Sequence, residues 1–362
     1  MKNKNKRNIL IISLVFLLVS IIFYGYYCFF VPTKFYPIFH NWDGPSYVVI
    51  AKSFYNVEII SQINNQGVKP IFFAAHFPLY PVFIRLFSFM GYSQSMVFVS
   101  QLFSLLFIIA FYFLGLQLKL KNPLILSIVA IFLTPRWFIV SHVGSSEPLF
   151  LFLLTLCLIF ISKKNYWLAA IFAFLAQLTR AQSILIFVGI GFYVLYELFT
   201  KKQKLGDLVK TYFPFVLIPL GLILVFLIYL VQFGNFFAFF TAMSEFKHLQ
   251  FPPFAVFSHF NPIVSGWKEI YIYEYFIYLI AFIHLISKPK MRIYGFIFLA
   301  FYIPILFLIH EDISRYSLPL LPFVFIIFDK FFTSKKTLIT LAILLPAIFA
   351  FSINYTLLNL SP

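Results

Sequence analysis

Long apolar runs broken by short basic turns organise this chain. A helix that crosses a membrane needs about 20 mostly apolar residues. Runs of that kind lie near residues 8–30, 94–117, 123–141, 148–162, 166–180, 183–200, 212–232, 270–287, 293–309, 316–332 and 337–358. The pattern predicts an all-α integral membrane bundle of about eleven transmembrane helices, the fourth and fifth short and parted only by Lys163-Lys164. Two longer segments, 31–93 and 233–269, interrupt the series. In the first, Tyr47, Ile50, Ala51, Phe54 and Tyr55 follow Pro45 at helical spacing. Phe77 to Met90 repeats the pattern beyond the turn-rich Asn64-Asn65-Gln66-Gly67. Both read as amphipathic helices lying in the membrane interface. The second segment, with Pro252-Pro253 and His259, reads as a partly inserted loop. Without an internal repeat or a soluble module, residues 1–362 are expected to form one polytopic domain.

Composition sharpens the choice of solvent. Hydrophobic residues make up 62% of the chain, 54 residues are Phe, and only 10% are charged. With a mean hydropathy of +0.96, that much apolar surface needs lipid around it. The formal net charge of +16 would suit nucleic acid if it were clustered. Here the basic residues sit in short groups between apolar runs, which is how positive-inside topology looks. Placing Lys2, Lys4, Lys6 and Arg7 inside also puts Lys119, Lys121, Lys163, Lys164, Lys201, Lys202, Lys204, Lys210, Lys288, Lys290, Arg292, Lys330, Lys335 and Lys336 inside. The amino terminus is then cytoplasmic. The first run, too long for a cleavable signal, is an expected uncleaved anchor. Cys28 and Cys157 lie within apolar runs and make no disulfide scaffold.

The same orientation sends most of the acids outward: Asp43, Glu58, Glu147, Glu245, Glu269, Glu274, Glu311 and Asp312. An ionisable group at a membrane boundary is a functional candidate. Asp43, in His40-Asn41-Trp42-Asp43-Gly44-Pro45, has two readings: a cap for the helix that Pro45 starts, or a catalytic base. The second is preferred. Glu147 before Pro148 could cap a span or contact substrate, and His76 could be a ligand contact or an ordinary interfacial histidine. Arg180 and Arg315 lie at expected outer ends, against the positive-inside trend, and suit a phosphate, although arginines also snorkel. Trp42 and Tyr316 flank these groups as candidate substrate contacts. Arg85 and Arg136 read as structural or headgroup arginines, and Glu311-Asp312 as either a second acidic pair for acceptor or metal or a solvated turn, the turn being preferred. No His/acid spacing makes a convincing metal site, so no cofactor is indicated, a divalent metal remaining compatible with the chain.

ATP and nucleotide sugars are not expected outside the cytoplasm. An activated sugar there would arrive on a lipid carrier, and a polyprenyl tail suits a Phe-rich groove. The motifs W-D-x-x-x-Y-x-x-I-A from Trp42, F-F-x(3)-F-P-x-x-P-x(3)-R from Phe72, S-E-x-L-F from Ser146 and L-T-R ending at Arg180 together resemble the PIG-V-like mannosyltransferases of the GT-C superfamily. His142 and Gly144 depart from that family, which tends to an aromatic before S-E. The resemblance implies a GT-C bundle whose outer loop bears an essential acid. It also implies inverting transfer of a hexose, mannose by analogy, from a polyprenyl-phosphate donor to a lipid, glycan or protein acceptor. A prokaryotic plasma membrane suits a lysine-rich chain of this size. Two alternatives stand beside it: a flippase or transporter of a lipid-linked saccharide, and an O-antigen-ligase-type transferase with a diphosphate-linked donor. Transport is disfavoured because polar groups crowd the outer ends rather than the midplane.

Overall fold

The computed structural model describes residues 2–35, 37–64, 67–244, 249–258, 268–310 and 312–359. Glu245, His259, Glu311 and the Asn65-Gln66 pair lie outside them. The described residues are helical throughout apart from turns and one isolated antiparallel bridge between Leu249 and Leu308. The chain divides into two compact units, Met1–Leu156 with Phe328–Ser361, and Cys157–Ile327.

In the first unit the helices are α1 (Lys2–Phe30), α2 (Gly44–Ser53), α3 (Val57–Ile63), α4 (Leu79–Leu86), α5 (Tyr92–Gln117), α6 (Pro123–Phe132), α7 (Pro135–Val140) and the start of α8 (Glu147–Ser162). The second contains α9 (Tyr166–Gln177), α10 (Ile184–Lys201), α11 (Leu205–Tyr212), α12 (Leu217–Phe233), α13 (Ala238–Met243), α14 (Glu269–Ser287), α15 (Arg292–Leu306), α16 (Ile313–Tyr316) and α17 (Leu321–Ile327). The chain then returns to the first unit with α18 (Asp329–Phe332) and α19 (Lys335–Leu357).

Among the described residues, seven helices, with their flanking turns, are long and apolar enough to cross a membrane: Asn3–Phe30, Tyr92–Gln117, Ala181–Lys201, Leu205–Phe233, Glu269–Ser287, Pro289–Leu306 and Lys335–Leu357. On α1, Ile12, Phe16, Val19, Phe23 and Tyr27 are buried, while Leu10, Leu14, Leu17, Leu18 and Ile21 stand exposed. Both sets recur at helical spacing, so one apolar face packs inward and another apolar face points out. Water would not tolerate the second face, but lipid does. The chain is an integral, multi-pass, all-α membrane protein.

The other four expected spans coincide with shorter apolar helices: Pro123–Phe132, Glu147–Ser162, Tyr166–Gln177 and Leu318–Ile327. The run at 123–141 illustrates why. Thr134 accepts a capping bond from the Trp137 amide at 3.4 Å and Pro135 occupies the first turn, a combination that starts a new helix. One hydropathy run thus folds as two helices.

In the first long segment α2 is buried on most of its positions and packs against α4 and α5. Arg85 of α4 reaches the Ala51 carbonyl of α2 at 3.5 Å. Tyr55, fully buried after α2, donates its hydroxyl to the His76 carbonyl at 2.6 Å. These contacts turn a surface segment into a platform for Asp43 and His76.

Candidate active site

Asp43 occupies the N-cap position of α2, yet its side chain makes no capping hydrogen bond. Its backbone is already helical there (φ −72°, ψ −5°), whereas a capping residue is normally extended. The carboxylate instead meets His76, with Nε2 3.5 Å from Oδ1. The pair is asymmetric: the His76 side chain is 8% exposed and that of Asp43 is 40% exposed. A carboxylate is therefore held on one side by a buried imidazole and reachable from the other.

The imidazole is fixed by its surroundings. Tyr47 of α2 packs edge-on to the His76 ring at 5.0 Å and to the Tyr80 ring at 4.8 Å. The Tyr47 hydroxyl lies 2.7 Å from Ser146 Oγ, next to Glu147, the first residue of α8 and buried. Glu147 is thus inside the helix rather than its cap, where its charge suits the amino-terminal dipole. Tyr80 donates to the Met96 carbonyl at 2.8 Å and lies 2.7 Å from Ser100 Oγ. Burial, reinforced by the nearby Tyr47 and Glu147, pushes the Tyr80 hydroxyl well above the usual phenol range. It serves as a neutral donor.

Ser100 ties α5 to the segment before α8, accepting from the Ser145 amide at 3.0 Å. On the same helix Gln101 reaches the Ser141 carbonyl and accepts from Ser20 at 2.8 Å. Ser20 lies 3.2 Å from His142 Nε2. Rings of Phe23 and Phe138 pack on His142. His142 is therefore a buried strut. Gly144 has a packing reason: a Cβ there would collide with the Met96 Sδ and Cε, and one on Gly44 would meet them at 3.2 Å. Met96 packs close to both glycines. Ser100→Ala removes the acceptor for a buried amide, so a loss of about 1–3 kcal/mol is expected, visible as a lowered thermal midpoint in detergent.

Trp42 precedes Asp43 with φ at +51°, a left-handed conformation that is a strain for a bulky side chain. The amide of Trp42 donates to Asn359 Oδ1 at 3.3 Å, and Asn41 Nδ2 donates to the Thr356 carbonyl at 3.0 Å. The end of α19 therefore holds the strained loop.

Of the expected site residues, Trp42, Asp43, His76 and Glu147 fall in the first unit, and Arg180, Arg315 and Tyr316 in the second. Arg180 is half-buried and extended between α9 and the turn Ala181–Ser183. Arg315 is half-buried on α16, which Asp312 caps by accepting from the Arg315 amide at 3.3 Å. Asp312 is buried, so the expected solvated turn is instead a structural cap at this residue. His310 accepts from the Asp312 amide at 3.0 Å and packs edge-on to Tyr316 at 4.8 Å. Ser314 donates to Glu274 of α14 at 2.5 Å. Among the described residues no three His, Cys, Asp or Glu side chains gather as a metal site.

Sequence reasoning gave Tyr47 only a place in a helical pattern and gave Tyr80, Ser100 and Tyr355 no separate role. Ser95, Ser100, Gln101 and Ser104 in one apolar span are a signal that could have given α5 a supporting role at the site, because polar groups in membrane helices seek internal partners. No comparable local signal marks Tyr355. No protein-family model matches the chain, and no curated protein matches it.

Proposed function

We propose that this protein is an inverting membrane glycosyltransferase with Asp43 as its general base. The observation that carries the reading is the reachable Asp43 carboxylate, absent from any helix cap and set against the buried His76 at 3.5 Å. In the proposed step Asp43 takes the proton of an acceptor hydroxyl as its oxygen attacks the anomeric carbon. The bond from that carbon to the phosphate oxygen breaks, and the electron pair leaves with the lipid phosphate. That leaving group is already stable as an anion, so no general acid is required. His76 holds the carboxylate orientation, Tyr47 holds His76, and Glu147 with Trp42 lines the substrate side. The lipid-bathed surface of the chain supports a donor that arrives by lateral diffusion.

The donor class is a hexose on polyprenyl phosphate, with mannose the sugar that the PIG-V-like resemblance implies. The placement of lysine and arginine in the sequence supports transfer on the non-cytoplasmic face, and the compact, lysine-rich chain supports a prokaryotic plasma membrane. A GT-C bundle is the fold that this reading entails. The test is to incubate the purified full chain with a panel of polyprenyl-phosphate sugars and with a polyprenyl-diphosphate sugar, and to identify products by mass. Transfer from a monophosphate donor is expected. Transfer from the diphosphate donor alone, or from none, rejects the reading.

His76→Gln is expected to lower kcat more than it raises KM. A carboxylate displaced by about 1 Å costs up to about 10²-fold, and the residual rate should exceed that of Asp43→Asn. A His76→Gln enzyme with unaltered kcat would remove His76 from the machinery.

A further inference from the structure

Trp42 and Asp43 are the two middle residues of a tight turn. The Asn41 carbonyl accepts from the Gly44 amide at 3.0 Å and closes it. Trp42 has φ +51°, whereas Asp43 has φ −72° and ψ −5°. A positive φ at the first middle residue alone is the type II′ pattern, and glycine dominates that position because it has no Cβ to clash. Here a tryptophan occupies it. Beyond the turn, the Asp43 carbonyl accepts from the Tyr47 amide at 3.1 Å and leads into α2. The strained turn therefore sets where the Asp43 side chain leaves the backbone.

Strain of this kind persists only where the surrounding structure over-determines it, and α19 supplies that hold. Asn41 is buried and donates its Nδ2 to the Thr356 carbonyl at 3.0 Å. The Trp42 amide donates to Asn359 Oδ1 at 3.3 Å. The Trp42 ring meets the Tyr355 ring at 6.1 Å, inclined at 67°. The helix is itself anchored: Tyr27 of α1 donates to the Ile353 carbonyl at 3.2 Å, and the Arg136 guanidinium carbon lies 3.9 Å over the Tyr355 ring. Asn359 stands just past α19 with φ +45°. That left-handed conformation commonly ends a helix, with glycine first and asparagine next in preference. One residue thus closes the helix and accepts from Trp42.

We propose that Asn41 and Asn359 are positioning residues for Asp43: they clasp the strained turn to α19 and so set the carboxylate against His76. This rests on the transferase reading above. They act through the backbone of the turn rather than on the substrate.

Three variants separate the clasp from ordinary stability. Asn359→Gly keeps a residue suited to the left-handed helix end and removes the acceptor. Asn359→Asp keeps an acceptor oxygen in the same place, and Asn41→Ala removes the donor to Thr356. Two quantities are measured on the full chain in detergent: kcat and KM for transfer from a polyprenyl-phosphate sugar, and amide hydrogen exchange over residues 41–47 by mass spectrometry. Asn359→Gly should speed that exchange about 5-fold, the effect of one lost net hydrogen bond. It should also lower kcat about 10-fold with KM held within about 2-fold, as a displaced carboxylate does. Asn359→Asp should restore both quantities to wild-type values. Asn41→Ala should lower kcat by roughly 10- to 100-fold. If Asn41→Ala lowers the thermal midpoint, the variants of Asn359, an exposed residue, decide. Unchanged exchange in Asn359→Gly overturns the clasp. Faster exchange with unaltered kcat, or the same loss of kcat in Asn359→Asp as in Asn359→Gly, overturns the positioning role and leaves the transferase reading standing. A wild-type chain that transfers no sugar overturns that reading, and the positioning role with it.

Discussion

Asp43→Asn is expected to reduce transfer to a small residual rate while the protein stays folded. Positioned general bases contribute about 10²–10⁴ in rate, and the amide has the same shape but cannot accept the acceptor proton. Stability should survive because the Asp43 side chain makes no cap to α2 and Asn can still meet His76. The measurement is transfer of label from a polyprenyl-phosphate sugar in membranes, with the thermal midpoint of the purified protein alongside. Full activity in the variant rejects Asp43 as base. The two residues also form a testable pair. If His76 acts by orienting Asp43, the double variant Asp43→Asn/His76→Gln should be hardly slower than Asp43→Asn alone, since the second change removes a function already lost. Additive losses would give His76 an independent role.

The largest stability effect is expected at Gly189 on α10. A Cβ there would lie 2.5 Å from the Cα of Ile297 and 2.9 Å from the Phe296 carbonyl oxygen. Those are backbone atoms of α15, so no rotamer change can relieve the contact and the helices must separate. Overpacking generally costs about 1–3 kcal/mol, sometimes more, and Gly189→Ala should reach or exceed the upper end. Small residues at helix crossings in membranes serve this close approach. Gly191, two residues on, supplies the control, because a Cβ there meets nothing within 4 Å. Gly191→Ala should be neutral or stabilising by up to about 1 kcal/mol through helix propensity. Denaturant unfolding in detergent micelles, read by circular dichroism, compares the two directly. Equal effects would mean that the α10–α15 contact is looser than it stands here.

Tyr80 and Gly144 show how far local sequence reaches into the site. Tyr80 was visible as one aromatic in the F-P-x-x-P stretch, and nothing beside it in the chain announced Ser100 or Met96 as its partners. Gly144 was visible as a departure from a family pattern, but its neighbour is Met96, far upstream. Asp312 was legible as an acid at a turn, and its burial was not, because burial depends on α14 and α16 approaching one another.

The sequence by itself determined the solvent and the helical class. Those properties depend on summed hydropathy, on Pro and Asn at helix starts, and on lysine spacing, all of which act over neighbouring residues. It also marked Asp43, since a carboxylate in an apolar chain stands out wherever the chain is folded. Only the tertiary structure decided what that carboxylate meets. The meeting of Asp43 with His76, of Tyr80 with Ser100, and of Arg136 with Tyr355 joins residues from about 20 to more than 200 positions apart. Such contacts form when apolar faces pack, and their geometry is fixed by that packing rather than by any local preference along the chain.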